Sequence, residues 1–143
     1  MNTAIFNMLF RCNKEFGHEK IRRKGLSDTE YIICSYVMEH VDCTQEEVST
    51  TLKIDKTTVG KAVASLEEKK CITRKQDKID RRKKHLRLTQ SGKNKISELM
   101  KIHDEWFAEI MTCLNDKEQA QFESFCEKIL VRAEEMKDNM PND

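Results

Sequence analysis

The residues best placed to do chemistry form one run, Asp80-Arg81-Arg82-Lys83-Lys84, with Lys78 just before it. Like charges crowded into one turn repel each other, so this turn suits a polyanionic partner better than it suits stability alone. A second set lies upstream: Lys56, Thr57, Thr58 and Lys61. With Gly60, Ala64 and Ser65 they give one side of a helix short hydroxyl groups, small side chains and two lysines. Such a face can enter the major groove of DNA. Thr44 and Gln45 stand at an expected helix start, where free amides can meet a phosphate. Arg74 fits a phosphate contact or a salt bridge in the stem of the turn equally well.

Catalytic and metal chemistry find little support. There is no Gly-rich phosphate loop, no H-E-x-x-H and no nucleophile elbow, so an enzyme is not expected. His18, His40, His85 and His103 lack ligand spacing. Cys34, His40 and Cys43 are near in sequence but lack a fourth ligand, so neither a metal nor a cofactor is expected. The six cysteines (Cys12, Cys34, Cys43, Cys71, Cys113, Cys126) include no CxxC pair. Free thiols in a reducing cytoplasm follow. No apolar run reaches about 18 residues and the N-terminus lacks a secretory pattern, so neither a membrane span nor export is expected.

The elements that must hold these residues can be read from periodicity. With four Gly and one Pro in 143 residues, a mainly helical chain is expected. Ile5, Met8, Leu9, Cys12 and Phe16 mark a helix over residues 4–16, ended by Gly17-His18 and the basic run after them. Ser27-Asp28-Thr29-Glu30 and Thr44-Gln45-Glu46-Glu47 are capping boxes, and Asp55 caps a further helix to about Lys69. On that last helix Val59, Ala62, Val63 and Leu66 form the buried stripe. Ile72–Gln76 and His85–Leu88 read as strands, with Leu86 and Leu88 inward and His85 and Arg87 outward. Thr89 caps a long amphipathic helix, and Asn115-Asp116-Lys117-Glu118 opens another. The fold class is therefore mainly α with a small β wing. Residues 27–89 form a winged helix-turn-helix head, and residues 1–26 and 90–143 form a helical dimerisation module intertwined with it.

Charge follows the same partition. Residues 53–95 hold fifteen Lys and Arg against five Asp and Glu, a net of +10, while 1–52 carry six against eight and 96–143 five against twelve. A basic segment between acidic flanks points to double-stranded DNA as its partner. The two long helices have more apolar stripe than one small head can cover, and helix-turn-helix readers commonly pair to match two half-sites, so a homodimer is expected.

These residues resemble the MarR family of bacterial transcription regulators. Asp80-Arg81-Arg82, then Leu86-Arg87-Leu88-Thr89 and Gly92, are similar to its wing signature, and Thr57 to Lys69 to its recognition helix. The resemblance implies a cytoplasmic, homodimeric repressor on a pseudo-palindromic operator, released by a small, often aromatic, effector. It implies that Arg82 enters the minor groove with Asp80 holding its guanidinium. A narrow groove concentrates negative potential, and Arg sheds water more readily than Lys. Arg81, Lys83 and Lys84 would then be phosphate contacts or solvated charges. Lys53 and Lys70 stand where the family often has Gly, at places that suit a left-handed backbone. Tyr31, Tyr36, Trp106 and Phe107 are candidates for an effector pocket, or else core and interface residues. Two other functions compete: a thiol-based regulator of this fold using Cys12, which packing in the core or interface would equally explain, and an adaptor that binds protein rather than specific DNA.

Overall fold

The computed structural model describes residues 2–139, so the ends of the expected helical module, residue 1 and residues 140–143, lie outside it. Six helices and one hairpin follow in order: α1 (Thr3–Arg23), α2 (Asp28–Glu39), α3 (Gln45–Leu52), α4 (Lys56–Glu68), β1 (Ile72–Gln76), β2 (Lys84–Leu88), α5 (Gln90–Met111) and α6 (Asp116–Asp138). The described backbone divides into two compact units, one ending at His103 and one beginning at Asp104. The division falls inside α5. No described helix is long and apolar enough to cross a membrane.

Helix starts follow local hydrogen bonding. Ser27, Thr44 and Asn115 each accept from the amide of the third helical residue, whose Glu side chain returns the bond to the cap amide. This satisfies two otherwise unpaired donors at each helix start. Asp55 accepts from both the amide and the hydroxyl of Thr58. Thr89 accepts from the Gly92 amide at the start of α5, while its hydroxyl reaches back to the Lys70 carbonyl.

One expectation fails at α1. The helix runs through Gly17 to Arg23, seven residues past the expected end. A helical Gly costs about 1 kcal/mol, which is too little to stop a helix whose next turn buries Ile21 and whose last turn is basic.

The first unit has one core. Ile33, Cys34 and Val37 of α2 meet Val48 of α3, Val59, Val63 and Leu66 of α4, Ile72 and Leu86 of the hairpin, and Ile96 and Leu99 of α5. Full burial of each such aliphatic contributes roughly 1.5–3 kcal/mol. β1 and β2 are antiparallel, with Ile72 opposite Leu88 and Gln76 opposite Lys84. Leu86 and Leu88 face inward as the alternation predicts. The hairpin is also stitched to the α2–α3 turn, since the Leu86 amide donates to the Cys43 carbonyl and Thr44 bridges to His85.

Lys53 and Lys70 do adopt the left-handed backbone, with φ of 53° and 57°. Asp42 does so as well, at 64°, which the sequence did not reveal.

In the second unit, Gln119 of α6 donates to the Met111 and Leu114 carbonyls and fixes the turn into that helix. Phe125, Ile129, Leu130, Val131 and Met136 of α6 are exposed, and no described α6 residue is buried. On α1 of the first unit, Ile5, Phe6, Met8, Leu9 and Phe10 are exposed too.

Candidate nucleic-acid interface

The first turns of α3 and α4 and the hairpin tip enclose an open recess of about 570 Å³. Thr44, Gln45, Lys56, Asp80, Arg82, Lys83 and Lys84 line it, together with Glu46. Seven residues expected to meet DNA from three separate parts of the sequence are thus gathered in one place. Lys56, Thr57, Thr58 and Lys61 are exposed on α4, the opposite side from its buried stripe. Arg81 is exposed at the hairpin tip.

Several of these side chains already have partners. Thr44 is buried and its hydroxyl caps α3, so α3 presents its cap and two acidic residues rather than four open amides. The Thr58 hydroxyl donates to Asp55 and keeps only its acceptor capacity. Glu46 lies 3.9 Å from Lys56, an exposed pairing that an incoming phosphate can displace. Arg74 pairs with Glu67 of α4 at 2.5 Å, with both side chains about one-third exposed or less. The structure therefore gives it the stem salt bridge. Ser65 turns away from the exposed face of α4 and donates to Glu30 at 2.6 Å.

Asp80 also differs from expectation. Its Oδ1 accepts from the backbone amide of Arg82 at 3.0 Å, not from the guanidinium. A short carboxylate two residues before an amide closes an Asx turn, which shapes the tip rather than the side chain. The Arg82 side chain is left on the exposed tip.

Three residues that shape this site carried no signal strong enough to single them out. Asp77 accepts from the amides of Ile79 and Asp80 through Oδ1 and pairs with His85 through Oδ2. These bonds hold its carboxyl well below the usual carboxylate range, the Asp80 amide contributing most and the His85 ring next. His85, expected to point outward, folds onto Asp77 and the Asp42 carbonyl instead. Arg87 grips the Asp42 carboxylate with two donors, which lowers that carboxyl and raises the guanidinium. An Asp directly after β1 was visible in sequence; its bond to a His 8 residues on, and that ring's bond to a carbonyl 43 residues away, were not.

Behind the recess, Glu30 of α2 is 5% exposed and accepts from the Ser27 amide, Ser65 and Lys69. Burial pushes its carboxyl up, but the Lys69, Ser65 and Ser27 bonds outweigh that and hold it below its ordinary value. A charged residue thus locks α4 to α2 and fixes the angle at which the exposed face of α4 is offered.

Tyr31 lines a mostly apolar cavity of about 420 Å³ with Phe10, Ile21, Ile32, His18 and His103. Tyr36 stacks on the His40 ring at 4.1 Å and donates to Thr51, outside that lining. Trp106 is half-buried and Phe107 exposed, both on the part of α5 that belongs to the second unit. Cys12 is exposed, as are Cys113 and Cys126. Burial pushes the Cys34 thiol up to about 12 and the Cys43 thiol up to about 11, which suppresses thiolate chemistry at both.

A family model described as the MarR family matches residues 24–83. The chain is 22% identical over 127 residues to the HTH-type transcriptional regulator BilQ of Clostridium symbiosum, covering 89% of this chain and 86% of that protein. A single-residue variant of S. aureus MepR superposes with a TM-score of 0.82 at 24% identity, covering 93% of this chain and 98% of that one. Another MepR variant, bound to an oligodeoxyribonucleotide, matches at 25% identity and a TM-score of 0.71, over 92% of this chain and 96% of that one. The wing, the capped helix pair and the shared fold agree with these matches: residues 24–83 match the MarR family, and the chain has the winged helix-turn-helix fold of those solved relatives.

Proposed function

We propose that this protein binds operator DNA as a homodimer and is released from it by a small apolar or aromatic effector. The observation that carries the reading is the basic recess, where Lys56, Arg82, Lys83 and Lys84 converge beside the exposed face of α4. In a bound complex, Lys56, Thr57, Thr58 and Lys61 face the major groove, Arg82 reaches the minor groove, and Arg81, Lys83 and Lys84 neutralise phosphates. Thr44 and Gln45 bound the phosphate path at the start of α3. Arg74 acts through Glu67, bracing the hairpin on α4.

Pairing is supported by the exposed apolar groups of α1 and α6. Phe6 is 62% and Leu130 58% exposed. Clusters of this kind mark surfaces that another chain covers. A second copy would also supply the second head for a two-fold operator. The MepR variant bound to an oligodeoxyribonucleotide supports the DNA part of the reading. The cavity beside Tyr31 has the size of a small-molecule site, with Asn13, Lys14, His18, Asp28 and His103 as polar groups of its lining.

The test is selection of duplexes from a random-sequence pool by the purified protein, followed by anisotropy titration of the recovered duplex. A recovered pseudo-palindrome bound by two chains is expected. Recovery of no enriched sequence overturns specific DNA recognition and favours the protein-adaptor reading.

A further inference from the structure

His85 has both ring nitrogens engaged. Nδ1 lies 2.8 Å from the Asp42 carbonyl oxygen and Nε2 lies 2.7 Å from Oδ2 of Asp77. A carbonyl and an ionised carboxylate only accept, so both nitrogens must donate. A neutral ring has one N–H and can satisfy one partner; the imidazolium satisfies both.

These two partners sit in different parts of the head. Asp42 belongs to the left-handed turn that precedes α3. Asp77 belongs to the hairpin turn, where its other oxygen holds the Ile79 and Asp80 amides, and Asp80 holds the Arg82 amide. A continuous run of hydrogen bonds therefore leads from the start of α3, through the imidazole, to the backbone of Arg82.

We propose that doubly protonated His85 is the positioning residue of the wing: it ties the turn carrying Arg82 to the turn that starts α3, and losing its proton frees the wing and weakens DNA binding. The proposal rests on the DNA-binding reading above.

The charged groups around the ring come from every neighbouring element. Asp42 stands on the α2–α3 turn, Arg87 on β2, Lys75 opposite the ring on β1, and Asp77 and Lys78 on the hairpin turn; all line one recess of about 330 Å³. Arg87 is taken up by the Asp42 carboxylate, leaving Asp77 as the nearest anion to the ring. The Asp42 carbonyl and then the Asp77 carboxylate raise the His85 pKa above its ordinary value. A raised value means the strap is complete below the usual histidine range, about 6.5, and is lost as pH rises through the higher value of the closed wing.

The test uses the full chain and a fluorescein-labelled duplex recovered from a random pool by the wild-type protein. Its affinity is measured from about pH 6 to pH 9 at fixed ionic strength. For the wild type, affinity should fall about tenfold across that window, the scale of one charge-assisted hydrogen bond. His85→Gln should bind weakly at the acidic end and show a flattened profile, while circular dichroism reports an intact fold. His85→Lys keeps a positive charge but not two opposed planar donors, and should behave like His85→Gln. Wild-type affinity and profile in His85→Gln would overturn the proposal. Wild-type affinity in His85→Lys would overturn it too, by showing that charge alone suffices. Nitrogen-15 spectra of the His85 ring should show both nitrogens protonated at about pH 6.5, and a neutral tautomer there would sink the strap. If the wild type recovers no duplex, the DNA-binding reading fails, and the ring spectrum then decides the strap by itself.

Discussion

Arg82 and Glu30 carry charge for opposite purposes. Arg82 sits on an exposed turn, and its amide, not its guanidinium, is held by Asp80. Removing the side chain leaves that Asx turn and every core contact in place. Arg82→Ala should therefore weaken duplex binding by about tenfold, or about 1–2 kcal/mol, with an unchanged melting temperature. Anisotropy titration at fixed salt, paired with a thermal melt, checks both halves; unaltered affinity would remove Arg82 from the interface. Glu30 is buried and fully bonded, and its charge serves to orient α4. Sequence showed Glu30 only as half of a capping box. Its second task depends on Ser65 and Lys69, 35 and 39 residues away, which no local pattern connects to it.

The junctions between elements explain two features of the motif that follows the wing. Gly92 is buried at the first turn of α5, and a Cβ there would lie 2.2 Å from the Cys71 carbonyl oxygen. The Gly92 Cα that would carry it and the Cys71 carbonyl belong to backbone held by Thr89, which bonds Lys70, Cys71 and Gly92 at once. Gly92→Ala should cost about 3 kcal/mol through overpacking, read as a lowered midpoint in urea. An unchanged midpoint would mean that α5 can shift without penalty.

Lys70 presents the reverse case. It holds a left-handed backbone with an exposed side chain, at the turn into β1. Lys70→Gly should relieve up to about 1 kcal/mol of that strain, partly offset by the entropy of Gly in the unfolded chain. A melting temperature that drops instead would show that the lysine side chain contributes more than its backbone costs. The caps of α2 to α6 were legible, because each depends on four consecutive residues, whereas the Asn2 cap of α1 was not singled out. The true end of α1 was not, because it depends on Ile21 finding a core made of later elements.

At the scale of the whole molecule, the charge partition makes a prediction about salt. If each head neutralises several phosphates, the logarithm of the binding constant should fall linearly with the logarithm of salt concentration, by about 0.9 per phosphate contact. Sedimentation of the complex should give two chains per duplex. A shallow slope, or one chain per duplex, would contradict a two-headed clamp built on the basic recess.

The sequence by itself determined the order and type of the elements, the caps, the buried stripe of α4 and the basic wing. All of these rest on short-range spacing, where a period of two or of three to four residues decides which side is apolar. The resemblance to a family that often has Gly at Lys53 and Lys70 also marked those two as left-handed positions. Only the tertiary structure decided which polar groups meet. It gave Arg74 to Glu67, Ser65 to Glu30, and His85 to both Asp42 and Asp77. Those partners lie between 7 and 43 residues apart in the chain, and the hydrogen bonds between them exist only once the core has brought helix, turn and hairpin together.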